Sequence, residues 1–166
     1  NEQQSSGNAV KVGYDIITGS SGAKNVMTVG AVNGDKSMSD YSNWGPTDDG
    51  RLKPEIVAKG TGINSSYFAD PNTNLPSDNS YSGNGEGSSG TSYAAPAAAA
   101  AGLLLQQYHN SLFGSYMKAA TLKALMLTTA EDLGQPGPDL KFGWGLLDIE
   151  KAANAIKSKS SAGSPT

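Results

Sequence analysis

The chain contains no cysteine among its 166 residues, which excludes disulfide frameworks, thiolate zinc sites and cysteine nucleophiles. Charged residues are few, at 16%, and the formal net charge is −3 without any basic block. This composition argues against nucleic acid as a partner, since phosphate binding needs clustered Lys and Arg. Long apolar runs are also missing. The longest, at residues 94–105, is mostly alanine, includes Pro96 and Gly102, and falls short of the roughly 20 residues of a membrane span.

What remains is the composition of a globular protein. Hydrophobic residues make up 37% of the chain, and its length suffices for one domain with a core. The sequence begins at Asn1 rather than at a methionine. We therefore expect that an upstream segment has been removed, and the lack of a visible signal peptide carries no information.

Short apolar segments alternate with helical ones and predict an α/β layered fold. Residues 26–32 read as a strand covered on both faces, as in a parallel sheet, and residues 55–58 and 63–66 as further short strands. Residues 67–89 lack periodicity and read as a functional or mobile loop. We predict helices at 92–108, apolar almost all round and hence buried, at 119–130, and from a cap at Asp148 to residue 156. The predicted domain covers residues 1–157, with a linker or disordered tail at 158–166.

The strongest motif is the heptapeptide Gly90-Thr91-Ser92-Tyr93-Ala94-Ala95-Pro96, which continues into an alanine run. It places a serine at the start of a predicted helix, where unpaired N–H groups and a partial positive charge favour a developing oxyanion. Gly90 permits a sharp entry turn, and the proline is tolerable in a first helical turn. For the first three residues alone, ordinary helix capping would be a sufficient explanation.

The full heptapeptide resembles the serine motif of the subtilisin family, and further segments resemble that family in the same order along the chain. They are Asn1-Glu2, Val12-Gly13-Tyr14, residues 25–31 ("VIAVGA"), 42–46 ("FSSxGP"), 53–60 ("KPDIVAPG") and 143–148 ("GxGxxN"). The resemblance implies a three-layer α/β/α fold with a mainly parallel sheet. Lys59, Tyr93 and Ala97 depart from the family pattern without removing a catalytic residue.

The resemblance also implies a function, peptide-bond hydrolysis by a serine endopeptidase through an acyl-enzyme. Ser92 would be the nucleophile, and the side chain of Asn1 would donate to the oxyanion. The substrate-binding residues implied are Val12, Gly13, Tyr14, Gly90 and Thr91. The substrate would be a protein or peptide, and the enzyme would be secreted or at the cell surface of a bacterium.

The catalytic Asp and His of this family precede the oxyanion asparagine, so neither is expected within this chain. The single histidine, His109, lies 17 positions after Ser92 on the same predicted helix, roughly 25 Å away, whereas a general base needs about 3 Å. The base and its carboxylate are therefore expected on a preceding segment, either a second chain or residues not included here.

Two alternatives stay open at this point. A sedolisin-type peptidase also carries a Gly-Thr-Ser motif but pairs it with an acidic base, and a catalytically dead pseudoprotease would keep the serine as part of a binding module. No cofactor is needed for the chemistry. Asp70, Asp78 and Glu86 in the long loop could ligate structural calcium, although solvated carboxylates are the favoured reading. Asp48-Asp49-Gly50 reads as a turn rather than a carboxylate dyad.

Overall fold

Two pairs of short strands precede the helices. In a computed structural model of the chain, the structure describes Ile17, residues 19–65 and residues 88–161, and the backbone of strands β1 (Gln3–Ser6) and β2 (Ala9–Val12). β1 and β2 pair antiparallel, with Gln3 opposite Val12. β3 (Val29–Val32) and β4 (Ile56–Lys59) pair in parallel, with Val29 opposite Ile56.

The predicted strand at 26–32 forms only over its second half. Thr28, just before β3, uses its own hydrogen-bonding groups elsewhere: its N–H donates to the Glu55 carboxylate and its hydroxyl to the Ser21 carbonyl. The predicted strand at 55–58 is confirmed with a shift of one residue. The third, at 63–66, is limited among the described residues to a bridge between Ile63 and Ser88.

Three helices follow, α1 (Thr91–Phe113), α2 (Ala119–Thr128) and α3 (Ile149–Ser161). α1 ends where Gly114 adopts a left-handed conformation, φ 67°, and donates its N–H to the Asn110 carbonyl. The predicted cap of the last helix is present, since the Asp148 carboxylate accepts the Lys151 N–H at 2.8 Å. Parallel strands followed by helices confirm the predicted α/β class.

α3 extends beyond the predicted start of the tail at residue 158. The hydroxyls of Ser158 and Ser161 donate to the carbonyls of Asn154 and Lys157 one helical turn earlier. Lys159 lies in the last turn, where a positive charge stabilises the helix dipole. Residues 158–161 are therefore helical, residues 162–166 lie outside the described residues, and the domain division itself stays a prediction.

α1 lies at the centre of the packing. It contacts both strands of the parallel pair and both other helices. Small side chains permit this close approach, because Ala94 packs against Ala31 and Ala58 of the strands. Farther along α1, Leu105 joins the larger apolar core, whose buried members are Ile56, Leu105, Met117, Met126, Ala152 and Ile156.

The prediction that α1 is buried all round is wrong for the described part of the chain. One stripe is buried, and it consists of Ala94, Ala98, Ala101, Gly102 and Leu105. On other faces Leu103 is 73% exposed and Leu104 is 56% exposed. Composition indicated burial correctly in kind, but no described element covers these two leucines.

Lys53, Glu55 and Lys123 form an ionic cluster at the start of β4. Glu55 Oε1 accepts from Lys53 Nζ at 2.6 Å and from Lys123 Nζ at 2.9 Å, and both ammonium groups also donate to the Val26 carbonyl. The side chains of Lys53 and Glu55 are only 2% and 10% exposed. The cluster thereby connects β4, the approach to β3 and α2.

The pKa of Glu55 is lowered overall. Burial is the largest single influence and raises this pKa, but hydrogen bonds from Lys53, Lys123 and the Thr28 N–H together outweigh it. A depressed pKa in the folded state stabilises the fold at pH values above the unfolded pKa, about 4.5. That contribution is lost as the pH falls further.

We expect Glu55→Gln to destabilise the full-length protein by about 3–5 kcal/mol at pH 7, because it leaves the buried Lys53 ammonium without its counter-charge. Urea unfolding measures the loss, which should shrink as the pH is lowered through the range in which Glu55 is protonated. Glu131→Gln is the matched control, since its ion pair with Lys36 is about half exposed and should contribute at most about 1 kcal/mol. Equal, small losses in the two variants would contradict this role for Glu55.

Candidate active site

Ser92 is the second residue of α1, and its side chain is exposed. Gly90 precedes the helix with extended backbone, φ 160° and ψ 154°, and no side chain caps the first turn. The Ser92 hydroxyl has no hydrogen-bond partner among the described residues. The serine therefore lies at an uncapped helix N-terminus, where backbone N–H groups and the helix dipole favour negative charge.

The end of β4 fixes the position of this helix start. The Gly90 N–H donates to the Gly60 carbonyl at 2.9 Å. Just before it, Ile63 and Ser88 exchange two backbone hydrogen bonds of 2.9 Å each, and the Gly62 N–H donates to the Ser89 hydroxyl at 3.2 Å. The chain therefore enters α1 along the segment that leaves β4.

Gly60 is required by the closeness of this contact. A Cβ atom at residue 60 would lie 2.8 Å from the Ala31 Cβ, 2.8 Å from the Gly90 carbonyl oxygen and 3.3 Å from the Ala94 Cβ. Sequence reasoning quoted residue 60 within a resembling segment but gave it no role. The missed signal was a glycine directly after a buried strand, which marks close backbone approach.

A cavity of about 400 Å³ adjoins Ser92. Three of its lining residues come from the first turn of α1, four from the approach to β3 and β3 itself, and two from the 3₁₀ turn at Gly19–Gly22. They are Thr91, Ser92 and Ala95; Val26, Met27, Thr28 and Val29; and Ser20 and Ser21. Every one of these side chains is uncharged, so the described walls suit a neutral group.

The structure brings only some of the predicted site residues together. Gly90, Thr91 and Ser92 are adjacent at the start of α1, and Thr91 and Ser92 both line the cavity. Val12 is the last residue of β2, where only the backbone is described. Asn1, Gly13 and Tyr14 lie outside the described residues, and their roles stay predictions.

His109 lies near the far end of α1, as the sequence predicts. Its Nδ1 lies 2.7 Å from the Ser115 carbonyl oxygen, and its ring packs against Phe113 with centroids 4.6 Å apart. It is separated from Ser92 by 17 helical positions, roughly 25 Å. His109 is therefore not the general base for Ser92.

Acidic residues form no metal centre in the described part of the chain, which lacks any group of three or more potential ligands. Asp70, Asp78 and Glu86 lie outside the described residues. The Asp48–Gly50 turn is confirmed: Gly50 has φ 78° and donates its N–H to the Thr47 carbonyl. Hydrogen bonds from the Arg51 guanidinium and the Thr47 hydroxyl lower the pKa of Asp49 to about 2, so this carboxylate stays charged. No helix among the described residues is long and apolar enough to cross a membrane.

Comparison with known proteins gives a consistent family. The model of the subtilase family matches residues 3–145. The autotransporter lipoprotein NalP of Neisseria meningitidis serogroup B is 48% identical over 70 residues, which are 42% of this chain and 6% of that protein. An extracellular serine protease of Serratia marcescens is 41% identical over 69 residues, again 42% and 6% of the two chains.

Solved structures agree in fold. A lanthipeptide protease superposes with a TM-score of 0.67 at 24% identity, over 82% of this chain and 43% of that one. The self-cleaved protease domain of PatA gives a TM-score of 0.62 at 22% identity, over 84% and 44%. The chain thus spans less than half of these structures and about 6% of the curated relatives above.

We expect Gly60→Ala to destabilise the full-length protein by about 1–3 kcal/mol, because the added methyl group overlaps Ala31 and the Gly90 carbonyl. Hydrogen exchange at the Gly90 amide should also accelerate. Gly34→Ala is the control, since its Cβ would have no atom within 4 Å. Thermal unfolding and exchange measure both effects. Identical behaviour of the two variants would show that the contact between β4 and α1 does not constrain the start of the helix.

Proposed function

Since this chain belongs to the subtilase family, we propose that it supplies the nucleophile, Ser92, of a serine endopeptidase. The observation that carries the proposal is the exposed serine at an uncapped helix N-terminus beside an uncharged cavity. A family match alone would not identify the nucleophile. The match and the position of Ser92 together support it.

The proposed reaction is peptide-bond hydrolysis through an acyl-enzyme. Ser92 Oγ attacks the scissile carbonyl carbon while its proton passes to a general base. That proton then goes to the leaving amine as the peptide bond breaks, and water, activated by the same base, releases the acyl group. The Ser92 N–H and the Asn1 side chain would donate to the oxyanion, where negative charge develops. Gly90 and Thr91, with Val12, Gly13 and Tyr14, would hold the substrate.

The general base must come from outside this chain, since its single histidine lies far along α1. We propose that a preceding segment or second chain supplies the catalytic histidine and its carboxylate. The exposed leucines of α1 support such a partner, because a large apolar side chain 73% exposed is costly in water. An obligate partner of this kind buries well over 2,000 Å².

The cellular location follows the relatives. One is named as an autotransporter lipoprotein and another as an extracellular protease, both bacterial. We propose that this protein likewise acts outside the cell or at its surface, on protein or peptide substrates. Structural calcium in the loop that contains Asp70, Asp78 and Glu86 is a further proposal, which calcium titration of the full-length protein would test.

We expect a fluorophosphonate probe to label Ser92 and no other serine of the assembled enzyme, because only a serine with a working base reacts at a useful rate. Peptide mass mapping locates the label, and Ser92→Ala should abolish it. Ser88 and Ser89 are internal controls, since they precede the helix.

The isolated chain should stay unlabelled, because it has no base near Ser92. Labelling of Ser88 or Ser89, or of the Ser92→Ala variant, would contradict the assignment of the nucleophile. An assembled protein that is not labelled at all would favour a pseudoprotease that serves as a binding module.

Asn1→Ala in the assembled enzyme should lower kcat with little change in KM, because an oxyanion donor acts mainly in the transition state. A subtilisin asparagine of this kind contributes about 10² to 10³ in kcat, and we expect a loss of that size. Steady-state kinetics separate the two constants. An unchanged kcat, or a loss confined to KM, would show that Asn1 is not the oxyanion donor.

A further inference from the structure

The 3₁₀ turn at Gly19–Gly22 is a thin wall between two cavities. Ser20 and Ser21 line the cavity beside Ser92. Gly19 and Gly22 line a second cavity, together with Asp49 and Arg51. None of the four residues of the turn is buried. Apolar packing therefore does little to set the position of this wall, and hydrogen bonds must do so.

Two side chains bind the turn from opposite directions. The Thr28 hydroxyl donates to the Ser21 carbonyl at 2.6 Å, and Arg51 Nη2 donates to the Gly22 carbonyl at 2.7 Å. Thr28 immediately precedes β3, whereas Arg51 belongs to the loop that leads to β4. The turn is thus tied to both approaches to the parallel strand pair.

The Arg51 guanidinium is itself oriented by its neighbours. Its Nε donates to both carboxylate oxygens of Asp49 at 2.9 Å, and the Thr47 hydroxyl donates to Asp49 Oδ1 at 2.7 Å. Thr47 is only 5% exposed, so this chain of contacts begins in the interior. The planar guanidinium spans a carboxylate and a carbonyl at once, which a lysine cannot do.

We infer that Arg51 is a positioning residue for substrate selection, holding the Ser20–Ser21 wall of the cavity beside Ser92 through the Gly22 carbonyl. The inference rests on the proposed function, because it takes that cavity as the place of a substrate side chain. The described lining carries no charge, so the side chain it fits is neutral and large enough to touch the wall. Thr28 is the second hold on the same turn.

The test compares Arg51→Ala with wild type in the full-length enzyme, on two peptides that differ only in the side chain placed in the cavity: leucine or glycine. We expect kcat/KM to fall about tenfold for leucine, mainly through KM, and to stay unchanged for glycine, since a charge-assisted hydrogen bond is worth at least that factor. Arg51→Lys should resemble Arg51→Ala. Thr28→Val, which removes the other donor, should shift selectivity in the same direction.

Lys36→Ala is the control, because it breaks an exposed ion pair that lies away from this turn. It should change neither peptide. Amide exchange gives a readout that does not need activity: the Ala23 N–H, which donates to Ser20 within the turn, should exchange faster in Arg51→Ala and not in Lys36→Ala.

Equal losses on both peptides, or an unchanged Ala23 exchange rate, would overturn the positioning role. A wild-type enzyme that cleaves neither peptide and does not react with fluorophosphonate would overturn the proposed function, and with it the selection of substrates. Exchange at Ala23 would still decide in that case whether Arg51 holds the turn.

Discussion

The contact between Gly60 and Gly90 sets the position of Ser92. It consists of one hydrogen bond and a separation so small that a Cβ atom at residue 60 does not fit. β4 ends there and α1 begins there, so the strand pair determines where the helix starts. Alanines at residues 31, 58 and 94 then let the helix lie directly on the strands. A bulkier side chain at any of these positions would move the helix start, and the serine with it.

The ionic cluster secures the other end of the same strand. Lys53 and Glu55 precede β4 and are almost fully buried, while Lys123 reaches them from α2. Because Glu55 also accepts the Thr28 N–H, the two strands approach the sheet in a fixed relation. Glycine contact at one end and charge at the other therefore hold β4, and the face of α1 that bears Leu103 and Leu104 is left for a covering layer.

Local features of the sequence predicted a large share of this arrangement. The heptapeptide that starts at Gly90, the alanine run after it and the cap at Asp148 are short-range signals, and the helices lie where these indicate. The parallel strands were also predicted, though β3 begins at Val29 because Thr28 is engaged by Ser21 and Glu55. That engagement joins residues 27 positions apart and has no local signature. The hold of Arg51 on Gly22, across 29 positions, was unpredictable for the same reason.

The roles of Asn1, Gly13 and Tyr14 rest on resemblance alone, since they lie outside the described residues. For Ser92 the position is known, but its partner in proton transfer is not part of this chain's described architecture. Sequence could indicate a nucleophile because a helix N-terminus is a local structure. It could not supply the base, since that group reaches Ser92 only through tertiary assembly.

The bare start of α1 sets stability against activity. A serine or aspartate at residue 90 is a standard way to strengthen a helix, typically by about 1 kcal/mol. The extended backbone of Gly90 and the nearest atoms at 3.7 Å from a Cβ leave room for such a side chain. Its oxygen, however, would take the same amide donors that a developing oxyanion requires. Selection for thermal resistance alone would therefore favour a change here that selection for turnover would reject.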